Sequence, residues 1–342
     1  MNLLFTVMER FAPEAMEIIE TRYRVLRQII HGQPLGRRQL VKALGYSERT
    51  VRGEIDLLKE RGAIYITPAG IYLTHNGEEM LREIDELIPL LFNLQTLAEQ
   101  VKARFNLDEV ILVPGDSYQD ALAKKDLGRA AARFLRKTLQ PGSVLAVTGG
   151  TTLAEMAEAI GEGISLPDVL VVPARGGLGE EMEQQAGTIA AKIARAIGGQ
   201  YRLLHIPDNL EVNTAEILKK DIHVAGMVDT IKASQALFHG IGDAQEMASR
   251  RGLGPQAMEY LNKHRAVGEA LRYYFDEKGN IVYEVPGIGL ELTDLDKISR
   301  VVAVAGGSNK ALAIESVLRN GKENVLISDE GAARSIMRIA ER

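Results

Sequence analysis

Residues 143–160, SVLAVTGGTTLAEMAEAI, and residues 300–317, RVVAVAGGSNKALAIESV, decide the fold. Each reads as an apolar run, a glycine pair, a hydroxyl residue and then a stretch with helical spacing. Further apolar runs lie at 110–115, 168–177, 201–207, 231–242 and 324–333, separated by helical patterns through 124–139 and on to 162, 198 and 319. Near-continuous apolar strands separated by helices have both faces covered, which predicts an α/β fold with a Rossmann-like, doubly wound parallel sheet. Ligands bind such sheets at the carboxyl ends of the strands. A glycine pair at a strand exit places free N–H groups and the positive end of a helix dipole together, which is an anion site. Neither loop is GxGxxG or GxxxxGK[ST], so a nucleotide is not indicated.

Lys310 sharpens this reading. A cation in the first turn of a helix opposes the dipole by about 0.3–1 kcal/mol, a cost that a phosphate between the two removes. Arg175, in PARGG after another strand, and Arg250 and Arg251 before Gly252 add cations. Two glycine-pair loops and these cations predict a ligand with two phosphates. Catalytic patterns are poor. The six His fall at no metal-ligand spacing, and GxSxG and HExxH are absent. His239 in FHGIG suits a structural or ligand-orienting role, and Glu269 and Asp243 are possible bases without an identifiable partner. No catalytic residue, metal or cofactor is expected.

The chain has 342 residues, 46% apolar and 25% charged, enough for about two domains of ordinary size. With no cysteine it has no disulfide, thiolate zinc site, iron–sulfur cluster or Cys nucleophile, which suits a reducing cytoplasm. MNLLFTVMER lacks a basic n-region and a cleavage pattern, and Leu87–Ala98 is too short and polar to span a bilayer.

The net charge of −5 hides an asymmetry. Between Thr21 and Gly62 ten Lys or Arg face four acids, while the remainder is acidic. A basic module on an acidic body is the footprint of a nucleic-acid binder with a second function. Within it, RRQLVKALGYSERTVRGEIDLLKER (37–61) reads as helix, turn, helix: Leu40, Val41 and Leu44 form one apolar face, Gly45 permits the turn, and Ser47 caps a helix burying Val51, Ile55 and Leu58. That leaves Glu48, Arg49, Thr50 and Arg52 for base edges in the major groove, with Arg37 and Arg38 nearby. Gly53 is expected to permit close approach of DNA or of the preceding helix. AIYITPAGIYLT (63–74) reads as a hairpin, completing a winged helix, and residues 14–32 as its first helix, burying Ile18, Ile19, Val25, Leu26, Ile29 and Ile30. Met80, Ile84, Leu87, Leu91, Leu94, Ala98, Val101 and Phe105 follow a heptad seam, either a dimer contact or a face packed on its own domain, with Pro89 breaking or kinking it. The expected organisation is a winged helix-turn-helix over 1–75, a linker and dimerisation helix over 76–106, and an effector and oligomerisation domain over 107–342. The opening residues 1–16 carry no motif.

Together, GRRQLVKALGYSERTVRGEIDLLKE, TGGTT, VPARGGLGE, HGIGDA and VAVAGGSNKA resemble the SorC-type sugar-responsive transcription factors, along the whole chain. The resemblance implies a sugar-phosphate domain related to glucosamine-6-phosphate deaminase and ribose-5-phosphate isomerase that retains binding without catalysis. It implies a repressor of glycolytic triose-phosphate genes, released from operator DNA by fructose 1,6-bisphosphate, working as a dimer and as a tetramer on DNA. It also implies an effector site of Gly149, Gly150, Thr151, Thr152, Arg175, Gln185, Arg250, Arg251, Glu269 and Lys310, Glu269 being known only this way. The same motifs fit an activator, or a sugar-phosphate isomerase or deaminase with an accessory DNA module.

Overall fold

The computed structural model describes residues 10–161, 165–178 and 181–340. Most of MNLLFTVMER lies outside the described residues. The chain divides into two compact units, Met1–Gln95 and Thr96–Arg342, each with its own core.

In the first unit, α1 (Pro13–Gly32), α2 (Arg37–Leu44) and α3 (Glu48–Glu60) precede a hairpin of β1 (Ile64–Thr67) and β2 (Gly70–Leu73). Gly45 ends α2 in the left-handed region at φ 68°, which a side chain would strain. Ser47 caps α3 by accepting the Thr50 N–H at 3.1 Å. Leu40, Val51, Ile55 and Leu58 then meet Val25, Leu26 and Ile29 of α1 in the core, while Ile18, expected there, is exposed. Leu35 bridges Ile71, which fastens the stretch after α1 to the wing.

The seam beyond the wing is not one helix. It is α4 (His75–Asp85), α5 (Ile88–Leu91) and α6 (Gln95–Phe105), with Pro89 in the first turn of α5 and Asn93 at φ 52°. Met80, Ile84 and Leu91 pack, beside Leu81 and Ile88, against the core of the first unit. The breaks prevent a continuous coiled-coil stripe, and these residues already have an intramolecular use.

The second unit is built on seven parallel strands in the order β3-β13-β12-β7-β4-β5-β6: β3 (Glu109–Val113), β4 (Val144–Val147), β5 (Leu170–Pro173), β6 (Gln200–Tyr201), β7 (Ala236–His239), β12 (Arg300–Val304) and β13 (Val325–Asp329). The runs read as strands at 201–207 and 231–242 are strand only at Tyr201 of β6, at β7 and at Gly242. One face of the sheet packs against α7 (Ala121–Thr138), α8 (Thr151–Glu158) and α9 (Ala186–Ala196). Leu145 and Val147 share this core, and Ala146 between them is equally buried on the other face. Gly128 lets α7 and α8 touch, since a Cβ there would lie 2.6 Å from the Glu155 carbonyl carbon.

Between β7 and β12 the chain makes a second sheet that the apolar patterning did not reveal. After α10 (Val212–Lys219) and α11 (Ile222–Lys232), β8 (Gly242–Asp243) leads through α12 (Ala244–Arg250) and α13 (Pro255–Lys263) to β9 (Ala266–Ala270), β10 (Tyr273–Asp276) and β11 (Ile281–Glu284), all antiparallel. Gly268 of β9 lies against α14 (Ala311–Asn320), where a Cβ would come within 2.7 Å of the Ala313 carbonyl oxygen. α15 (Glu330–Ala340) closes the unit.

Candidate functional site

The winding of the large sheet reverses between β4 and β7. From β4 the chain proceeds outward to β5 and β6, and from β7 it proceeds the other way to β12 and β13. The crevice beyond the carboxyl ends of two such strands is where doubly wound folds bind ligands. Here it is a pocket of about 760 Å³, counting its open mouth. Its walls include Thr148–Leu153, Arg175, Gln184, Gln185, Gly240–Gly242, Arg250, Glu269, Leu271 and Lys310.

The glycine pair after β4 forms its floor. Gly149 packs directly on the Gln184 carbonyl, and Gly150, at φ 124°, donates its N–H to the same oxygen at 2.9 Å. Gly150 then opens α8 with no side-chain cap. The first-turn N–H groups of Thr151 and Thr152 therefore face the pocket as donors at the positive end of the helix.

The glycine pair after β12 differs. Gly307 donates its N–H to Asp329 at 2.7 Å, and Ser308 donates its N–H and hydroxyl to Asp116 at 3.0 and 2.6 Å. Asp329 also accepts from the Ser117 and Ala332 N–H groups. The expectation of two anion loops is thus corrected: internal carboxylates already fill the second. Beyond the glycine pair, Lys310 reaches the pocket.

Of the ten residues expected at the effector site, nine line the pocket, and Arg251 does not. Its guanidinium is fully buried behind the wall, bonded to Asp208 at 3.0 Å, Glu269 at 2.8 Å and the Tyr274 hydroxyl at 3.1 Å. A cation so engaged positions Glu269 and is not available to a ligand phosphate. Asp208, which also pairs with Arg175, went unnoticed in the sequence because nothing in HIPDN distinguishes a buried acid from a turn residue. Burial works against the Glu269 carboxylate, yet the Arg251 and Arg175 charges hold it below the usual range. It also accepts the Arg272 N–H at 2.8 Å across the β9–β10 turn, where Leu271 and Arg272 take φ 53° and 84°. Two non-glycine residues in that region store strain of about 1–3 kcal/mol each, and the turn is held by Glu269 and by Arg272 bonds to the Val285 and Leu290 carbonyls.

Lys310 is half-buried, and its ammonium is held below its ordinary pKa by burial and by the Lys124 and Arg250 charges, against the opposing pull of Glu246 and Asp243. Gathering cations in a desolvated place favours an anion. His239 lies beneath the site. Its ring is fully buried 3.4 Å from Glu323, which burial pushes up to about 7 while the imidazole falls to about 4. Asp243 caps α12.

In the first unit Arg37, Arg38, Ser47, Glu48, Arg49, Thr50 and Arg52 are all exposed. The Ser47 and Thr50 hydroxyls bond each other at 2.8 Å, and Arg52 lies 3.8 Å from Asp56. A Cβ on Gly53 would meet nothing within 4 Å, so close approach of the preceding helix is not its reason.

Residues 91–338 match the family described as "Putative sugar-binding domain", and residues 18–88 match "CggR N-terminal DNA binding domain". The chain is 41% identical over 339 residues to the central glycolytic genes regulator of Priestia megaterium and 38% over 338 residues to that of Bacillus subtilis, covering 99% of each chain in both comparisons. A crystal structure from Enterococcus faecalis, described as a SorC family transcriptional regulator, is 37% identical and superposes with a TM-score of 0.66 over 71% of this chain and 100% of its own. The chain belongs to the SorC family of transcriptional regulators. The full-length sorbitol operon regulator SorC of Klebsiella pneumoniae, 18% identical with a TM-score of 0.67 over 90% of this chain and 96% of its own, shares the fold. A SorC-family chain with both parts is a DNA-binding, sugar-responsive regulator and not an enzyme. Among the described residues no helix is long and apolar enough to cross a membrane.

Proposed function

We propose that this chain is a cytoplasmic repressor of glycolytic triose-phosphate genes that leaves its operator when fructose 1,6-bisphosphate fills the pocket. The observation that carries the reading is the uncapped first turn of α8, where the Thr151 and Thr152 N–H groups face Arg175, Arg250 and Lys310 across one crevice. One phosphate sits on the first turn of α8 with Lys310. The other meets the guanidiniums of Arg175 and Arg250, with Gln185 at its side. Glu269, fixed by Arg251, accepts from sugar hydroxyls between them and repels a misplaced phosphate. The names of the Priestia and Bacillus relatives support the gene set.

On the DNA side, Arg49 and Arg52 read base edges while Arg37 and Arg38 hold phosphates. One winged helix per chain suits a half-site, so two copies read a two-fold operator and two dimers form the tetramer on DNA. Release follows from linkage: the sugar bisphosphate weakens operator binding by favouring a state of the protein that fits the operator poorly.

The test is calorimetric titration with fructose 1,6-bisphosphate, the two fructose monophosphates, glucose 6-phosphate and inorganic phosphate, paired with operator binding at fixed salt. Selective saturable binding of the bisphosphate that lowers operator affinity is expected. Equal binding of all phosphates would overturn the effector. Arg49→Ala is expected to weaken operator binding by about 1–3 kcal/mol with effector binding intact, and loss of both functions together would indicate misfolding instead.

A further inference from the structure

The pocket's cation set has a member outside its immediate lining, on the first turn of α7. Lys124, Leu127 and Gly128 lie on one face of that helix, at i, i+3 and i+4. Leu127 abuts Gly306, where a Cβ would come within 2.6 Å of its side chain, so this face meets the exit of β12. Gly128 meets Glu155 of α8 at 2.6 Å from the same kind of Cβ position. Both helices follow parallel strands and therefore run in the same direction. One turn above Gly128 is Lys124, and one turn above Glu155 is Thr151. Lys124 is thus level with the open end of α8, between it and the loop that carries Lys310.

Three features say this lysine is not an ordinary surface cation. It is half-buried, and it forms no ion pair with any described residue. It stands near the positive end of α7, where a cation is disfavoured. It also lies close enough to Lys310 for its field to help depress that ammonium. Asp120, one turn before it, has its carboxylate bonded to the Leu122 N–H as the helix cap.

We propose that Lys124 is a phosphate-binding residue, sharing with Lys310 the phosphate that rests on the first turn of α8. This rests on the reading of the crevice as a phosphate site and adds a ligand group from a helix that the sequence motifs do not touch. Lys124 swings its ammonium over that phosphate when the pocket fills, which relieves the repulsion among the cations.

The test compares wild type, Lys124→Gln and Lys125→Gln in full-length protein, the last being an equal charge change at the next position of the helix. Calorimetry with inorganic phosphate and with fructose 1,6-bisphosphate is expected to show Lys124→Gln about 10- to 100-fold weaker, as for one lost hydrogen bond between charged groups, with Lys125→Gln within about twofold of wild type as a distant screened charge. Acetylation of native protein, read by mass spectrometry, is expected to modify Lys124 in phosphate-free buffer and to be blocked there by either ligand. Wild type binding neither anion overturns both the reading of the crevice and this assignment. Wild type that binds, with the two variants equally affected or Lys124 unprotected, overturns the assignment of Lys124 alone.

Discussion

The two glycine-pair loops share a sequence pattern and have opposite uses. After β4 the pair leaves the first turn of α8 uncapped and open to the pocket. After β12 the corresponding donors are taken by Asp116 and Asp329. A strand, two glycines and a helix provide an anion site, but what occupies it depends on the neighbouring strand exits. Next to β12 is β13, ending in Asp329, and beyond it β3, leading to Asp116. Among the described residues no side chain caps the turn after β4, and the pocket opens there. On the function proposed above, one loop is a receptor and the other is a clasp.

The largest expected effect breaks the clasp. Asp329→Ala leaves the N–H groups of Gly307, Ser117 and Ala332 without their acceptor and is expected to destabilise the second unit by about 3 kcal/mol or more. Urea unfolding of purified protein measures it, and a change under 1 kcal/mol, as an order-of-magnitude bound on one net hydrogen bond, would mean that the loop does not depend on this carboxylate. Gly149→Ala attacks the receptor. The new methyl runs into the Gln184 carbonyl, a backbone atom that cannot swing away. A stability loss of about 1–3 kcal/mol is expected from such overpacking, together with loss of effector binding in the calorimeter.

Smaller effects separate binding from folding. Thr152→Ala and Lys310→Ala are expected to leave the unfolding free energy within about 0.5 kcal/mol of wild type, and to cost the effector about 10- to 100-fold for Lys310. Operator-bound protein that still dissociates at wild-type effector concentrations would return the phosphate to another part of the crevice. The smallest effect is in pH. Burial opposes the Asp116 carboxylate, but the Ser308 hydroxyl and N–H and the Tyr118 N–H hold it below its ordinary 3.8. A depressed carboxylate contributes stability above its unfolded pKa and loses it as pH falls through the folded one. Acidification below about 4 is therefore expected to weaken the clasp, by under about 1 kcal/mol for a half-exposed group. The slope should be shallower in Asp116→Asn, and equal slopes in unfolding free energy between pH 5 and 3 would remove Asp116 from the account.

The parallel sheet and the winged helix were legible because their apolar periods are strong and local: Leu145, Ala146 and Val147 in succession mean two covered faces, and Val51, Ile55 and Leu58 mean one. The clasp was not legible, since Asp116 and Asp329 are far from Gly307 in the chain and only the strand order brings them to it. Arg250 and Arg251 are adjacent and look interchangeable, yet one reaches the pocket and the other is sealed among Asp208, Glu269 and Tyr274. The antiparallel sheet escaped notice because β8 has two residues and β9 includes Gly268 and Glu269, which break any apolar alternation. The heptad spacing after the wing was real, but Pro89 and the αL backbone of Asn93 divide it, and packing took its first half into the winged-helix core.

The pocket draws its wall from four strand exits and from the small sheet, in stretches that run from Thr148 to Lys310. No short segment of the second unit contains it, because its lining residues are far apart in the chain. A molecule that fills it is therefore a reversible cross-link between distant parts of the chain, raising the unfolding free energy by RT ln(1 + [L]/Kd), about 2.7 kcal/mol at a hundredfold excess over Kd. If pocket occupancy signals to the operator as proposed, the same occupancy would thus lengthen the protein's own survival against heat and proteases.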